Sequence, residues 1–169
     1  MNSVIDYEKK LYFPTRKAYL ISRITHEDTY LIWKYLYFLR REEAASNKLT
    51  QYYWRRRKND LGAKLGIIIY AGCCDKGLRI WHYGSTIISG DAKLGENCTF
   101  HGQACIGNDG SNTAAPVIGS NVDIGVGAKI IGDIIIADHV KIGAGAVVTK
   151  SCLEPGATLV GIPARVVGK

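Results

Sequence analysis

Two histidines stand where this chain could do chemistry. His82 lies in Ile80-Trp81-His82-Tyr83-Gly84, and His101 in Phe100-His101-Gly102. An imidazole of near-neutral pKa can take a proton from an acceptor hydroxyl. His26 and His139 look peripheral. No Ser-His-Asp constellation and no paired-carboxylate signature accompanies the histidines, so the chemistry they suggest is general-base activation of a hydroxyl. The alternative is a histidine that only bonds a backbone carbonyl. Trp81 and Tyr83 flank His82, and His101 follows further along the same repetitive stretch. That setting favours His82 as the catalytic base, with His101, Trp81 and Tyr83 as acceptor-binding residues. The five cysteines, Cys73, Cys74, Cys98, Cys105 and Cys152, are odd in number and form no CxxC pair. This argues against a disulfide framework and against a zinc site, and no metal is expected.

The elements that must position these residues follow a period of six. Positions 88, 94, 100, 106, 112, 118, 124, 130, 136, 142 and 148 read Ile, Leu, Phe, Ile, Asn, Ile, Ile, Ile, Ile, Ile, Val. A second series, four residues after each of these, is small or β-branched almost throughout, from Ala92 and Cys98 to Ala146 and Cys152. Six matches neither a helix nor an alternating strand. It is the period of a hexapeptide repeat that winds as a parallel β-helix. Three units close a triangular coil of about 18 residues, and coils stack about 4.8 Å apart. The large aliphatic points into the prism, and glycine tolerates the tight corners. His82 and His101, one residue more than a coil apart, should therefore sit close together on adjacent turns. The glycine-rich GVGAKIIG (Gly125 to Gly132) lies inside the hexads and reads as corner structure, not as a dinucleotide loop. NDGSNTAAP (Asn108 to Pro116) breaks the pattern and is expected to protrude from one corner. The tail from Glu154 is expected to leave the prism and fold back along it. The prism interior is filled, so a small-molecule site must lie outside it, in a loop or in a groove between prisms.

The expected fold is mainly β. A left-handed parallel β-helix over residues 67–169 follows a small α-helical segment over 1–66. That segment carries the positive charge. The formal net charge is +7, and residues 67–169 are neutral. The expected helices run over about 2–10, over 25–46 with Thr25 as the N-cap, and over 47–60 with Gly62 as the stop. Tyr52, Tyr53 and Trp54 followed by Arg55-Arg56-Arg57-Lys58 allow three readings: packing, contact with an anionic membrane surface or polyanion, and nucleic acid. Packing is preferred, membrane contact through Arg55 to Lys58 is second, and no nucleic-acid partner is expected. No secretory leader or bilayer-spanning run is visible, and Cys98 and Cys152 read as buried thiols. The expected location is cytoplasmic, with the inner membrane face as the variant.

Three stretches carry a resemblance: IGVGAKIIG (Ile124 to Gly132), KIGAGAVV (Lys141 to Val148) and GIPARVVGK (Gly161 to Lys169). With them the chain resembles the left-handed β-helix acyltransferases, in their serine acetyltransferase-like branch. HYGS (His82 to Ser85) and HGQACIGN (His101 to Asn108) resemble the short enzymes of capsule and surface-polysaccharide clusters. The resemblance implies a homotrimer with acetyl-CoA in grooves between neighbouring prisms. It places Asn108, Val126, Gly127 and Ala144 along the pantetheine arm and Lys141, Lys150, Arg165 and Lys169 at the CoA phosphates. It implies direct acetyl transfer with His82 as general base, without a metal. Serine acetyltransferases carry Asp where Trp81 stands, His where Ala115 stands and an acid where Ile67 stands. The function expected on this ground is acetyl-CoA-dependent O-acetylation of a sugar hydroxyl in a surface polysaccharide or its precursor, with Trp81 and Tyr83 facing the sugar. The alternatives are a serine O-acetyltransferase of cysteine biosynthesis and a non-catalytic β-helix scaffold.

Overall fold

The computed structural model describes residues 2–168. Four helices come first: α1 (Asn2–Tyr12), α2 (Arg16–Thr25), α3 (Asp28–Glu43) and α4 (Lys48–Leu65). Short strands then follow: β1 (Ile67–Ile69), β2 (Arg79–Ile80), β3 (Thr86–Ile88), β4 (Lys93–Leu94), β5 (Thr99–Phe100), β6 (Cys105–Gly107), β7 (Val117–Ile118), β8 (Asp123–Ile124), β9 (Lys129–Ile131), β10 (Ile135–Ile136), β11 (Lys141–Ile142), β12 (Val147–Val148), β13 (Thr158–Val160) and β14 (Arg165–Val166).

The strands form the three walls of a prism. One wall is ordered β1-β3-β6-β9-β12, the second β10-β7-β4 and the third β14-β13-β11-β8-β5-β2. All pairings are parallel except β13 with β14. Successive members of the large-aliphatic series fall on successive walls, and Ile88, Phe100, Ile106, Ile124, Ile130 and Ile142 lie in the core. The small series fills the space beside them: Ala92, Cys98, Ala104, Val122, Ala128, Val140 and Ala146 are all buried. Regular coils of three hexads join Ile88 to Ile106 and Ile124 to Ile142. Between Ile106 and Ile130 the coil is a hexad longer, and the extra residues form the 108–116 loop. Asn112 therefore stands outside the core, which explains the gap in the apolar series.

The helices share that core. Ile32, Tyr35, Leu36, Leu39 and Leu65 pack into one cluster with Ile67, Ile69 and Leu78 of the first coil. The Tyr35 hydroxyl accepts a hydrogen bond from the Ile69 N–H at 2.9 Å. Arg40 fastens α3 to α1 and to the coil. Its guanidinium donates to Glu8 at 2.8 Å, to the Cys74 carbonyl at 2.8 Å and to the Asp75 carbonyl at 2.6 Å. Glu8 in turn accepts the Gly77 N–H at 3.0 Å.

Several boundaries differ from the sequence expectation. α2 lies outside the expected helices. Thr15 caps it by accepting from the Ala18 N–H at 3.1 Å, yet Leu20, Ile21 and Ile24 remain exposed, so it shows little of a buried stripe. Thr25 closes α2 by donating to the Ile21 carbonyl and does not cap α3. Asn47 caps α4, its side chain accepting from the Thr50 N–H at 3.0 Å. Gly62 does not stop that helix, which runs to Leu65 and ends on Gly66 at φ +66°. A Cβ at Gly62 would collide with the Ile67 carbonyl and the Tyr35 ring, so glycine there serves close packing. The tail does not leave the prism at Glu154. It adds β13 beside β11 and only then turns back as β14.

The cysteines are free. Cys98 is buried, donates toward the Gly119 carbonyl at 3.2 Å, and burial pushes its thiol up to about 11. At pH 8 a thiol-exchange dye is expected to leave Cys98 unlabelled in the folded protein and to reach it after denaturation, while half-buried Cys105 labels first. Native-state labelling of Cys98, located by peptide mass mapping, would contradict this environment.

Candidate active-site groove

The third wall brings Trp81 and His101 together with Asp123, while His82 and Tyr83 follow β2 and do not line the groove that begins at His101 and Asp123. Residues at one outward level pair coil to coil: Arg79 with Thr99, Thr99 with Asp123, Asp123 with Lys141 and Lys141 with Thr158. At the next level Trp81 donates its backbone N–H to the Phe100 carbonyl at 2.8 Å, and His101 does the same to Ile124 at 3.0 Å. The side chains form a continuous line. The Arg79 guanidinium lies 3.9 Å from the Trp81 ring centroid. Trp81 stacks over His101 at 6.5 Å and 20°. His101 Nε2 lies 2.8 Å from Asp123 Oδ1.

His82 and His101 do occupy adjacent turns, but the coil joining Ile80 to Phe100 is slightly longer than a regular one. Trp81 thus makes the ring contact with His101. The His82 backbone lies against Gly102: a Cβ there would be 3.1 Å from the His82 carbonyl oxygen and 3.4 Å from its Cβ. The His82 side chain is exposed and has no hydrogen-bond or ionic partner among the described residues.

A groove of about 350 Å³ runs from His101 and Asp123 past Val126 and Ala144 to Lys141 and Thr158. Its floor is backbone. Gly125 has no room for a Cβ against Ala144 N, and Gly127 N–H bonds the Gly102 carbonyl at 3.1 Å. Of the residues assigned to CoA by resemblance, Val126, Ala144 and Lys141 share this groove, and Gly127 adjoins it. Asn108, Lys150 and Arg165 do not line it. Asn108 closes a turn through Gly110 N–H, Arg165 lies on β14, and Lys169 lies outside the described residues. Ile67 and Ala115 are buried and do not line the groove either.

A larger cleft of about 510 Å³ lies between α4 and β1. There the buried Glu42 carboxylate is held by Arg55 at 2.7 Å and Lys58 at 2.8 Å. Lys58 also donates to the Ile69 carbonyl, and Arg57 lies over the Phe38 ring. These contacts fit the packing reading of the basic segment, since Lys58 is buried and Arg55 is neutralised. Arg56 is the exposed member, 3.9 Å from Asp60. No described helix is long and apolar enough to cross a membrane.

Asp123 escapes the sequence reading, although its signal is present. One regular coil beyond His101 falls at Gly119. Adding the extra hexad of the loop moves the match to Gly125 and puts Asp123 beside the imidazole.

No family model matches the chain. The serine acetyltransferase of Buchnera aphidicola subsp. Schizaphis graminum is 35% identical over 136 residues, covering 72% of this chain and 51% of that protein. That of Helicobacter pylori strain 26695 is 36% identical over 107 residues, 62% of each. The structure of soybean serine acetyltransferase complexed with serine aligns with a TM-score of 0.71 at 26% identity, covering 82% of this chain and 58% of that one. The chain spans about half the length of the curated relatives it matches. The hexad repeat, the three-walled prism and these likenesses support the left-handed β-helix family of hexapeptide acyltransferases as the class of this chain. Within that class, the proteins it is similar to are serine acetyltransferases.

Those likenesses overturn the expected polysaccharide acceptor. That expectation rested on the HYGS and HGQACIGN resemblance, on the departures at Trp81, Ala115 and Ile67, and on Trp81 and Tyr83 as a sugar face. The Trp81 ring is instead engaged by Arg79 and His101, and Tyr83 is a half-exposed corner residue.

Proposed function

We propose that this chain is an acetyl-CoA-dependent serine O-acetyltransferase. The observation that carries the reading is the 35% identity to a serine acetyltransferase across 72% of the chain, a span that reaches beyond the repeat alone. The groove adds chemical support. Its glycine floor and exposed Val126 and Ala144 suit a pantetheine arm, and Lys141 supplies a cation along it. Lys150, Arg165 and Lys169 remain the phosphate candidates. Residues 67–169 form the acyltransferase domain in this reading, residues 1–66 buttress its first coil, and three copies assemble with grooves between prisms.

His82 is the general base. Its imidazole takes the proton as the serine hydroxyl attacks the thioester carbonyl. A backbone N–H stabilises the oxyanion. The intermediate collapses, the C–S bond breaks, and the imidazolium returns the proton to the CoA sulfur. Acetyl ester and free thiol are the products, so no covalent enzyme intermediate is required.

CoA release from acetyl-CoA, followed with a thiol dye that does not acetylate, tests the reading. L-Serine is expected to drive turnover that depends on both substrates. Absence of serine-dependent release by the assembled protein would reject it, and binding of acetyl-CoA without turnover on any acceptor would favour a scaffold instead.

A further inference from the structure

We infer that Asp123, together with His101, forms the subsite for the α-ammonium group of the amino-acid acceptor. This rests on the serine reading above. Serine is a zwitterion, so a site that selects it needs a negative group for the ammonium besides a base for the hydroxyl. Asp123 is the only carboxylate lining the groove among the described residues. Its Oδ1 accepts from His101 Nε2 at 2.8 Å, and that bond assigns the tautomer. In the neutral form of the ring Nδ1 is a lone-pair acceptor, so in that form the pair offers two acceptors, Nδ1 and Asp123 Oδ2. Lys141 pairs with Asp123 along the ladder but forms no ion pair with it, so the charge is not cancelled within the described residues.

Access and spacing agree with this assignment. The His101 and Asp123 side chains are 44% and 47% accessible, open enough to receive a ligand. The bond to Asp123 orients the His101 ring, and Trp81 lies along one face of it. The His82 backbone packs on Gly102, the residue after His101, so the two histidines border the same stretch of the prism surface on neighbouring coils. The subsite also puts an acid where the acceptor needs one, although Trp81, Ala115 and Ile67 supply none.

The test is steady-state kinetics of the full chain with D123N and D123E. D123N keeps the shape and removes the charge. It is expected to raise KM for L-serine about tenfold to a hundredfold, the loss typical of one charge-assisted hydrogen bond. Its kcat should fall no more than a few-fold, and KM for acetyl-CoA and the melting temperature should hold. D123E, which restores the charge, should recover KM for serine to within about fivefold of wild type. An unchanged KM for serine in D123N would overturn the inference. So would a fall in kcat alone, which would mean that Asp123 acts only by holding His101. A parallel rise in KM for acetyl-CoA, or a D123E variant as impaired as D123N, would likewise overturn it. Failure of the wild type to use serine at all rejects the functional reading itself, and is distinct from these outcomes.

Discussion

Replacing His82 with alanine is expected to lower kcat for acetyl transfer at least about a hundredfold, the contribution of a positioned general base. The melting temperature should barely move, because the side chain is exposed and has no partner among the described residues. Exposed substitutions away from packed features usually change stability by under about 0.5 kcal/mol. This separation follows from the geometry. A histidine kept to bond a backbone carbonyl would show that bond, and its loss would lower stability together with activity. The rival base is His101, whose imidazole already has an orienting carboxylate. If H82A retains near-normal kcat while His101→Ala abolishes it, the base is His101 and the roles assigned here are exchanged. Circular dichroism and sizing of H82A would confirm that the comparison is made on folded, assembled protein.

Arg40→Ala is expected to destabilise the fold by about 3–5 kcal/mol, the usual consequence of breaking a buried ion pair by removing one partner. Arg40 and Glu8 side chains are 6% and 2% accessible. Removing the guanidinium strands the Glu8 carboxylate in the interior and leaves the Cys74 and Asp75 carbonyls without their donor. For a domain of this size that corresponds to roughly 10 °C or more in melting temperature. The double variant Arg40→Met with Glu8→Leu should lose less, since no charge is left stranded, and its remaining loss comes from the Gly77 N–H and the Cys74 and Asp75 carbonyls. At a temperature where R40A stays folded, its kcat should be close to normal, because the clamp lies at the first coil and not in the groove. A melting shift under about 3 °C in R40A would show that the helices do not depend on this clamp.

The prism was legible because its physics repeats. One large aliphatic per wall, one small residue beside it and glycine at the corners recur every six residues, so the period alone assigns Leu94, Phe100, Ile118 and Ile136 to the core. Other features were hidden where a local signal has two meanings. Gly62 resembles a helix stop but answers a close approach between α4, Tyr35 and the start of β1. Trp81 beside a histidine resembles a sugar platform, yet its partners are Arg79 and His101 from its own wall. Asp123 lies 22 residues from His101, a separation that makes sense only once the loop at 108–116 is taken out of the coil count. The acceptor is easily misread for the same reason: the acids are sought at Trp81, Ala115 and Ile67, while the acid in the groove comes from the next coil.

The most direct test is to identify the product. The protein is incubated with L-serine and acetyl-CoA labelled with ¹³C at the acetyl carbonyl, in mildly acidic buffer to limit acyl migration, and the label is followed by NMR. The account predicts that the label leaves the thioester and appears as an ester on the serine β-oxygen, in step with free CoA and only with active protein. Label that stays on CoA, is released as acetate, or appears directly on the serine nitrogen would contradict transfer to the serine hydroxyl.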